Sequence, residues 1–187
     1  MSELLLALIW RLAAWVLFVS VVEHQIHVWI LHSRRFLKTP YRNHHVDHHG
    51  RGMNDLRPHI DLAFWDYGIV YAMLFPVAYR AVFVTPYAWL GVVSGVLVAT
   101  GHRYLWSRLH RATHRRNDHL FRAADLVNVQ TMYRGARLED NWTVRQWWFP
   151  AFEMHHLRHH ANPSCNYAVV CLWTDWMFGT SYKETDK

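Results

Sequence analysis

The chain has little sulfur and no nucleotide fingerprint. Its 187 residues include two cysteines, Cys165 and Cys171. Two thiols build neither a disulfide framework nor a four-thiolate metal site. Both are therefore expected reduced, on a cytosolic face. There is no Gly-rich dinucleotide turn, no cysteine cluster for an iron–sulfur centre and no fused haem domain. Acidic residues are the minority charge, 14 against 20 Lys and Arg, for a net charge of +6 with histidine neutral. A basic balance suits nucleic acid or a membrane surface. No Lys/Arg run is interleaved with a soluble recognition fold, so no nucleic-acid partner is expected. Apart from two histidine blocks there is no internal repeat, and there is no low-complexity tail. The length suits one domain, residues 1–187.

Apolar and aromatic residues are plentiful. They make up 52 % and 16 % of the chain, with 11 Trp and 9 Tyr, more aromatic than an average soluble domain. The mean hydropathy is nonetheless near zero. Both facts fit a chain partly in a bilayer and partly at its polar edge. Residues 4–22, LLLALIWRLAAWVLFVSVV, carry one charge, Arg11. A hydrocarbon core of ~30 Å needs about 20 such residues in a helix. No small-residue cleavage site follows, and histidines begin at His24 in the same register. A retained span over 4–31 is expected. Residues 62–80 and 87–104 form a second apolar pair around RAVFVTP, where Pro86 signals a turn. QWWFPAF, residues 146–152, suits the interfacial belt.

Charge then orients the chain. Arg34, Arg35, Lys38, Arg42, Arg51 and Arg57 lie between the first two apolar stretches. Arg103, at the end of the third, and Arg108, Arg111, Arg115 and Arg116 after it lie on the same side, and only Arg80 falls in the opposite loop. The positive-inside tendency places the first set in the cytoplasm. The expected fold is all-α: an integral-membrane helical bundle of about three spans plus interfacial helices. A cytosolic His-rich helical metal domain, residues 32–60 and 102–180, caps it. The inner membrane of a bacterium, or an equivalent, is the expected location.

The sixteen histidines are grouped. "HHVDHH" covers residues 44–49 and "HHLRHH" residues 155–160. On a helix, residues three or four apart share a face. His45, His48 and His49 then form one HxxHH set, and His156, His159 and His160 another. His110 and His114 are an i, i+4 pair. His27 and His32 stand five apart, about 140° around an α-helix, and are expected to flank a metal cluster rather than chelate side by side. These ten imidazoles exceed the needs of one tetrahedral zinc. They suit two ions of five or six coordination, and Fe, Zn, Cu or Ni all accept imidazole. His59 and His119 stand alone and read as packing residues. His24, His44, His102 and His155 fall outside the ten. Polar groups at a membrane edge are costly and usually functional, which makes the set a metal site.

The order HxxxxH, HxxHH, HxxxH, HxxHH resembles the fatty acid hydroxylase superfamily, of sterol desaturase/fatty acid hydroxylase type. "EHQIHVWILH" adds Glu23 four before His27, and "NYAVVCLWTDWMFGT" is similar to the family's ending. Asp175, Trp176, Phe178, Gly179 and Thr180 carry that ending, with Thr174 where Trp often stands. The match covers residues 23–180 on short motifs. The resemblance implies an integral-membrane, non-haem di-iron, O₂-dependent oxidoreductase. His27, His32, His45, His48, His49, His110, His114, His156, His159 and His160 would be its metal ligands. Glu23, Asp47 and Asp175 would be carboxylates behind them, and the ligands themselves would be the only catalytic groups. It further implies hydroxylation of a lipid, most simply a fatty acyl chain. Desaturation, carotenoid ring hydroxylation and aldehyde deformylation are alternatives within the superfamily. A separate electron donor is needed, a reductase with a ferredoxin or b-type cytochrome. Zinc would be a substitute acquired in purification. The non-enzyme alternative is a metal transporter, which would place ligands along a path near mid-membrane. The middles of these apolar stretches hold no His, Asp or Glu.

Overall fold

The structure, a computed structural model, describes residues 3–49, 79, 87–116 and 142–183. Among these residues every regular element is a helix. Helix α1 (Glu3–Ile26) passes without a break into a π-helical turn, π1 (His27–Leu31). A short connector leads to α2 (Lys38–Tyr41), which itself winds into a second π-helix, π2 (Arg42–His49). Then follow α3 (Ala88–Arg116), a 3₁₀ turn (Trp142–Arg145), α4 (Phe149–Ala161) and α5 (Trp173–Phe178).

The run Glu3–Leu31 is the one described helix long and apolar enough to cross a membrane, at 29 residues. Leu4, Leu5, Leu6, Ile9, Val16 and Leu17 stand exposed along it. Only 28 % of its most apolar window is buried, whereas the core helix of a soluble protein is mostly buried. Of the other two expected spans, 62–80 lies outside the described residues except for Tyr79. The stretch 87–104 enters α3 at Ala88, but α3 turns polar and basic in its second half and does not qualify as a crossing.

Helix α1 packs chiefly along α3. Gly95 permits the close approach: a Cβ there would meet the Trp15 ring at 2.6 Å. Trp15 Nε1 donates to the Gly91 carbonyl at 2.8 Å, which fixes the ring across the groove. Helix α4 lies against the other half of α3. Between them Trp106, Leu109, Ala112, Phe149 and Val169 form an apolar core, with Trp148 and Phe152 packed on it. The expected aromatic belt is thus divided: Phe149 is core, while Trp147 is 89 % exposed. Helix α5 ends at Gly179, whose φ of 70° suits a residue without Cβ. It returns the chain to the histidine end of α1.

Candidate metal centre

Four stretches of chain converge where the apolar part of α1 ends. They bring nine histidines into two abutting groups. His27, His32, His44, His49 and His159 form one; His48, His110, His156 and His160 form the other. Within each group the ligand nitrogens all lie within 4.8 Å of one another. The groups touch: the His49 and His160 rings stack at 4.4 Å, and His44 lies 5.2 Å from His48 between centroids. Helix α4 straddles them. His156 and His160, one turn apart, face the four-histidine group, and His159 faces the five.

The π turns explain the rest. A π-helix bonds residue i to i+5, and the His32 N–H donates to the His27 carbonyl at 3.0 Å. Residues five apart then share a face. His27 and His32 come side by side, with ring centroids 5.0 Å apart. His44 and His49 do the same in π2, with their Nε2 atoms 3.3 Å apart. The expectation that His27 and His32 merely flank a cluster assumed α-helical winding and is corrected here. His44, which the HxxHH reading leaves out, is buried in the five-histidine group. His45, which that reading includes, is not in either group. It stacks on Tyr41 and lies at the edge of the five-histidine group, against His32, Nδ1 to Nδ1 at 3.1 Å, and against the His49 ring at 5.9 Å. The five-residue spacing of His44 and His49, the same as that of His27 and His32, was the signal for this. His114 follows His110 by one turn on α3, but its side chain, like that of Asp47 on π2, is outside the described ones.

The nitrogens suit a metal. Metal–imidazole bonds of about 2.1 Å put neighbouring donors about 3.0 Å apart on an octahedron and about 3.4 Å apart on a tetrahedron. His27 and His44 Nε2 are 2.9 Å apart, His156 and His160 Nε2 3.1 Å, and His48 and His110 Nε2 3.3 Å. Nε2 of His32 and of His159 are buried without a hydrogen-bond partner. An unpaired buried polar atom is costly, and a cation in the five-histidine group, to which both belong, removes that cost. Burial, reinforced by the neighbouring imidazoles, holds His32, His44 and His49 well below the ordinary histidine pKa. Burial takes His159 down to about 4. Neutral imidazole is the form that binds metal. The described donors are all neutral, so either group leaves most of an ion's charge uncompensated.

Around the five-histidine group runs a loop, residues 162–172, between α4 and α5. The Tyr167 carbonyl accepts the His27 Nδ1–H, and the Cys165 carbonyl accepts the His159 Nδ1–H at 2.6 Å. Each bond fixes a tautomer and leaves Nε2 bare for a metal. The Tyr167 ring packs on His27, His32 and His159 at 5.3–5.7 Å. Asn166 turns the loop with a φ of 54°, which asparagine tolerates better than most residues.

Two fully buried carboxylates hold this loop. Asp175 accepts the N–H groups of Tyr167 and Ala168, both at 2.8 Å, and the Thr180 hydroxyl at 2.6 Å. His155 donates to it at 2.9 Å, and His24 Nε2 lies 3.3 Å away. Burial alone would raise the Asp175 pKa. The bonds from His155, His24, Thr180 and Ala168 outweigh it and hold the carboxyl well below the usual range. Glu23 accepts the N–H groups of Val169 and Val170 and pairs with His102 at 2.9 Å. Neither carboxylate touches one of the nine grouped histidines directly, so Glu23 is not the acceptor for a ligand N–H that the resemblance implies. The residues they do touch, His24, His102 and His155, were unassigned from sequence. No protein-family model, no curated protein and no solved structure matches the chain.

Proposed function

We propose that the chain is a membrane-bound di-iron oxygenase that uses O₂ to hydroxylate a lipid, with a fatty acyl chain as the simplest substrate. The observation that carries this reading is the pair of abutting all-imidazole groups at the end of a membrane-length apolar helix. The order of the histidine motifs, resembling the fatty acid hydroxylase superfamily, narrows the chemistry. Two iron ions with O₂ supply the oxidising power for an unactivated C–H bond that no side chain possesses.

The chain's own residues do the rest. His27, His32, His44, His49 and His159 hold one ion; His48, His110, His156 and His160 hold the other, with His114 one turn on from His110. The Tyr167 and Cys165 carbonyls keep the His27 and His159 rings turned inward. Burial of the groups limits water at the reacting centre, which protects an oxidant from being quenched. The finer membrane reading, three spans with the metal site on the cytosolic face, belongs to the same proposal. Electrons come from a separate reductase with a ferredoxin or b-type cytochrome, since the chain carries no redox cofactor motif of its own. Desaturation of the same substrate class needs the same site and is separated from hydroxylation by product alone.

The test is metal analysis of the purified protein together with lipid extracts from a host expressing the chain or its His159→Ala variant. Two metals per chain and an oxygenated lipid, both diminished in the variant, are expected. An unchanged lipid profile with metal still bound would overturn the oxygenase reading in favour of metal transport. Zinc in place of iron would be substitution, because imidazole sites accept both.

A further inference from the structure

We propose that Glu23 and Asp175 are positioning residues that act on His27 and His159 through the backbone of the 162–172 loop, and so govern metal affinity in the five-histidine group rather than in the four. The inference rests on the reading that the imidazole groups hold metal.

Four successive amides of the loop, Tyr167 to Val170, end on these two carboxylates. The loop has no regular structure of its own, so these bonds, together with those of Asn166 to His155, Thr180 and Tyr182, fix it. One peptide group is shared between carboxylate and ligand. The Ala168 N–H donates to Asp175 Oδ2, and the Tyr167 carbonyl of the same peptide accepts the His27 Nδ1–H. A carboxylate that pulls on the N–H polarises the carbonyl behind it. The carbonyl then becomes a better acceptor, and the far nitrogen of His27 a better donor to a cation. Many metal sites set a carboxylate directly on the ligand imidazole; here it stands one peptide away. The next acceptor is tied to the same hub. The Cys165 carbonyl belongs to the peptide whose N–H, on Asn166, donates to the Thr180 carbonyl at 2.8 Å. Thr180 in turn is bonded to Asp175 through its hydroxyl. Glu23 completes the support from α1, four residues before His27 on the same helix. It pulls the loop down onto the turn that carries the ligand. The ligands so served, His27 and His159, both belong to the five-histidine group.

The test uses full-length protein, stripped of metal in detergent and titrated with Co²⁺ alone against a competing chelator. Cobalt bound to histidine absorbs visibly, so binding is read without enzyme turnover. Wild type is expected to show two binding steps. Glu23→Gln and Asp175→Asn should each weaken one step by ~10–100-fold, the usual cost of losing an outer partner, and leave the other in place. In a His110→Ala background, which takes one ligand from the four-histidine group, the carboxylate variants should still weaken the step that His110→Ala leaves intact. In a His27→Ala background the same carboxylate variants should leave the four-histidine step unchanged and weaken the other only through His159. Equal weakening of both steps would overturn the proposal, because the carboxylates would then only hold the fold together. No weakening of either step would overturn it as well. A wild type that binds no cobalt defeats the metal reading itself, whereas two wild-type steps with either contrary result defeat this inference alone. If Asp175→Asn does not fold, Thr180→Val removes one donor to Asp175, together with the hydroxyl's contact to His24 Nε2. It should weaken the same step to a smaller degree, and Thr180→Ser should restore it; equal loss of both steps, or no loss, again overturns the proposal.

Discussion

An imidazole binds a metal only through a nitrogen that carries no proton, so each ring matters by where its bare nitrogen points. His44 and His45 are neighbours in the chain and differ in this respect. His44 is buried with its Nε2 2.9 Å from that of His27, and His45 stacks outside on Tyr41. His44→Ala is therefore expected to cost at least about ten-fold in metal affinity at one site, by comparison with outer-partner losses of similar size. His45→Ala should leave both sites filled. Equilibrium dialysis with Zn²⁺ separates the two, and equal losses would show that the rings exchange roles. Protonation argues on the same scale. His32, His44, His49 and His159 have folded pKa values below the ordinary value of about 6.5. Such groups contribute fully above about pH 6.5 and lose their contribution as the pH falls toward the folded value, about 4 for His159. Asp175, also lowered, loses its contribution only below the usual carboxylate value of about 3.9 and so stays silent in this window. The thermal midpoint of the metal-free protein should therefore fall steadily from pH 7 to pH 5. A flat midpoint would mean the rings are solvated. At this scale the residue type was legible in the sequence, since histidines this dense leave few alternatives. The partners were not, because a backbone carbonyl such as that of Tyr167 leaves no mark in the side-chain pattern.

Helical winding decides which histidines meet. The i, i+3 and i, i+4 rule placed His156, His159 and His160 on one helix, and α4 is an α-helix. The same rule misjudged residues 27–32 and 44–49 because both wind as π-helix, where the rule becomes i, i+5. Intrinsic propensity does not announce a π turn; convergence of the rings at one centre compensates for its poorer geometry. Crowding between elements yields a further prediction. Gly95→Ala would drive a methyl to 2.6–2.7 Å from Trp15 ring carbons. The ring cannot swing away without giving up its bond to the Gly91 carbonyl. Overpacking of this kind typically costs 1–3 kcal/mol, or roughly 1 to 2 powers of ten in the folding equilibrium. Thermal unfolding of the detergent-purified variant should show the loss. Because Gly95 lies well before His110 on α3, the variant should keep its metal once folded. Loss of metal without loss of stability would mean instead that the α1–α3 contact sets the site.

Length, composition and charge were readable for the whole molecule, and they bound it differently. The first apolar stretch was legible because its run, broken only by Arg11, is long and apolar enough for a helix that could cross a bilayer. It is a helix of 29 residues, Glu3–Leu31. At about 1.5 Å per residue it is about 43 Å long, against a hydrocarbon core of ~30 Å. Residues 87–104 were harder to judge, because their apolar part runs on into a basic helix that carries His110. Hydropathy reports where a helix is greasy and not where it stops. The ends of Glu3–Leu31 differ in kind: Glu3 is exposed beside bare leucines, while the other end meets the histidine groups and the exposed Arg34, Arg35 and Lys38. If the helix crosses a bilayer with its basic end in the cytoplasm, those two ends face different compartments. Single cysteines at Glu3→Cys and Lys38→Cys then give opposite results with a membrane-impermeant maleimide. In intact spheroplasts Glu3→Cys should label and Lys38→Cys should not; after lysis both should. Cys165 is buried and Cys171 half-buried, so the parent chain sets a low background. Labelling of both positions in intact cells, or of neither, would remove the crossing. The reversed pattern would keep it and turn the metal groups outward, away from any cytosolic electron donor.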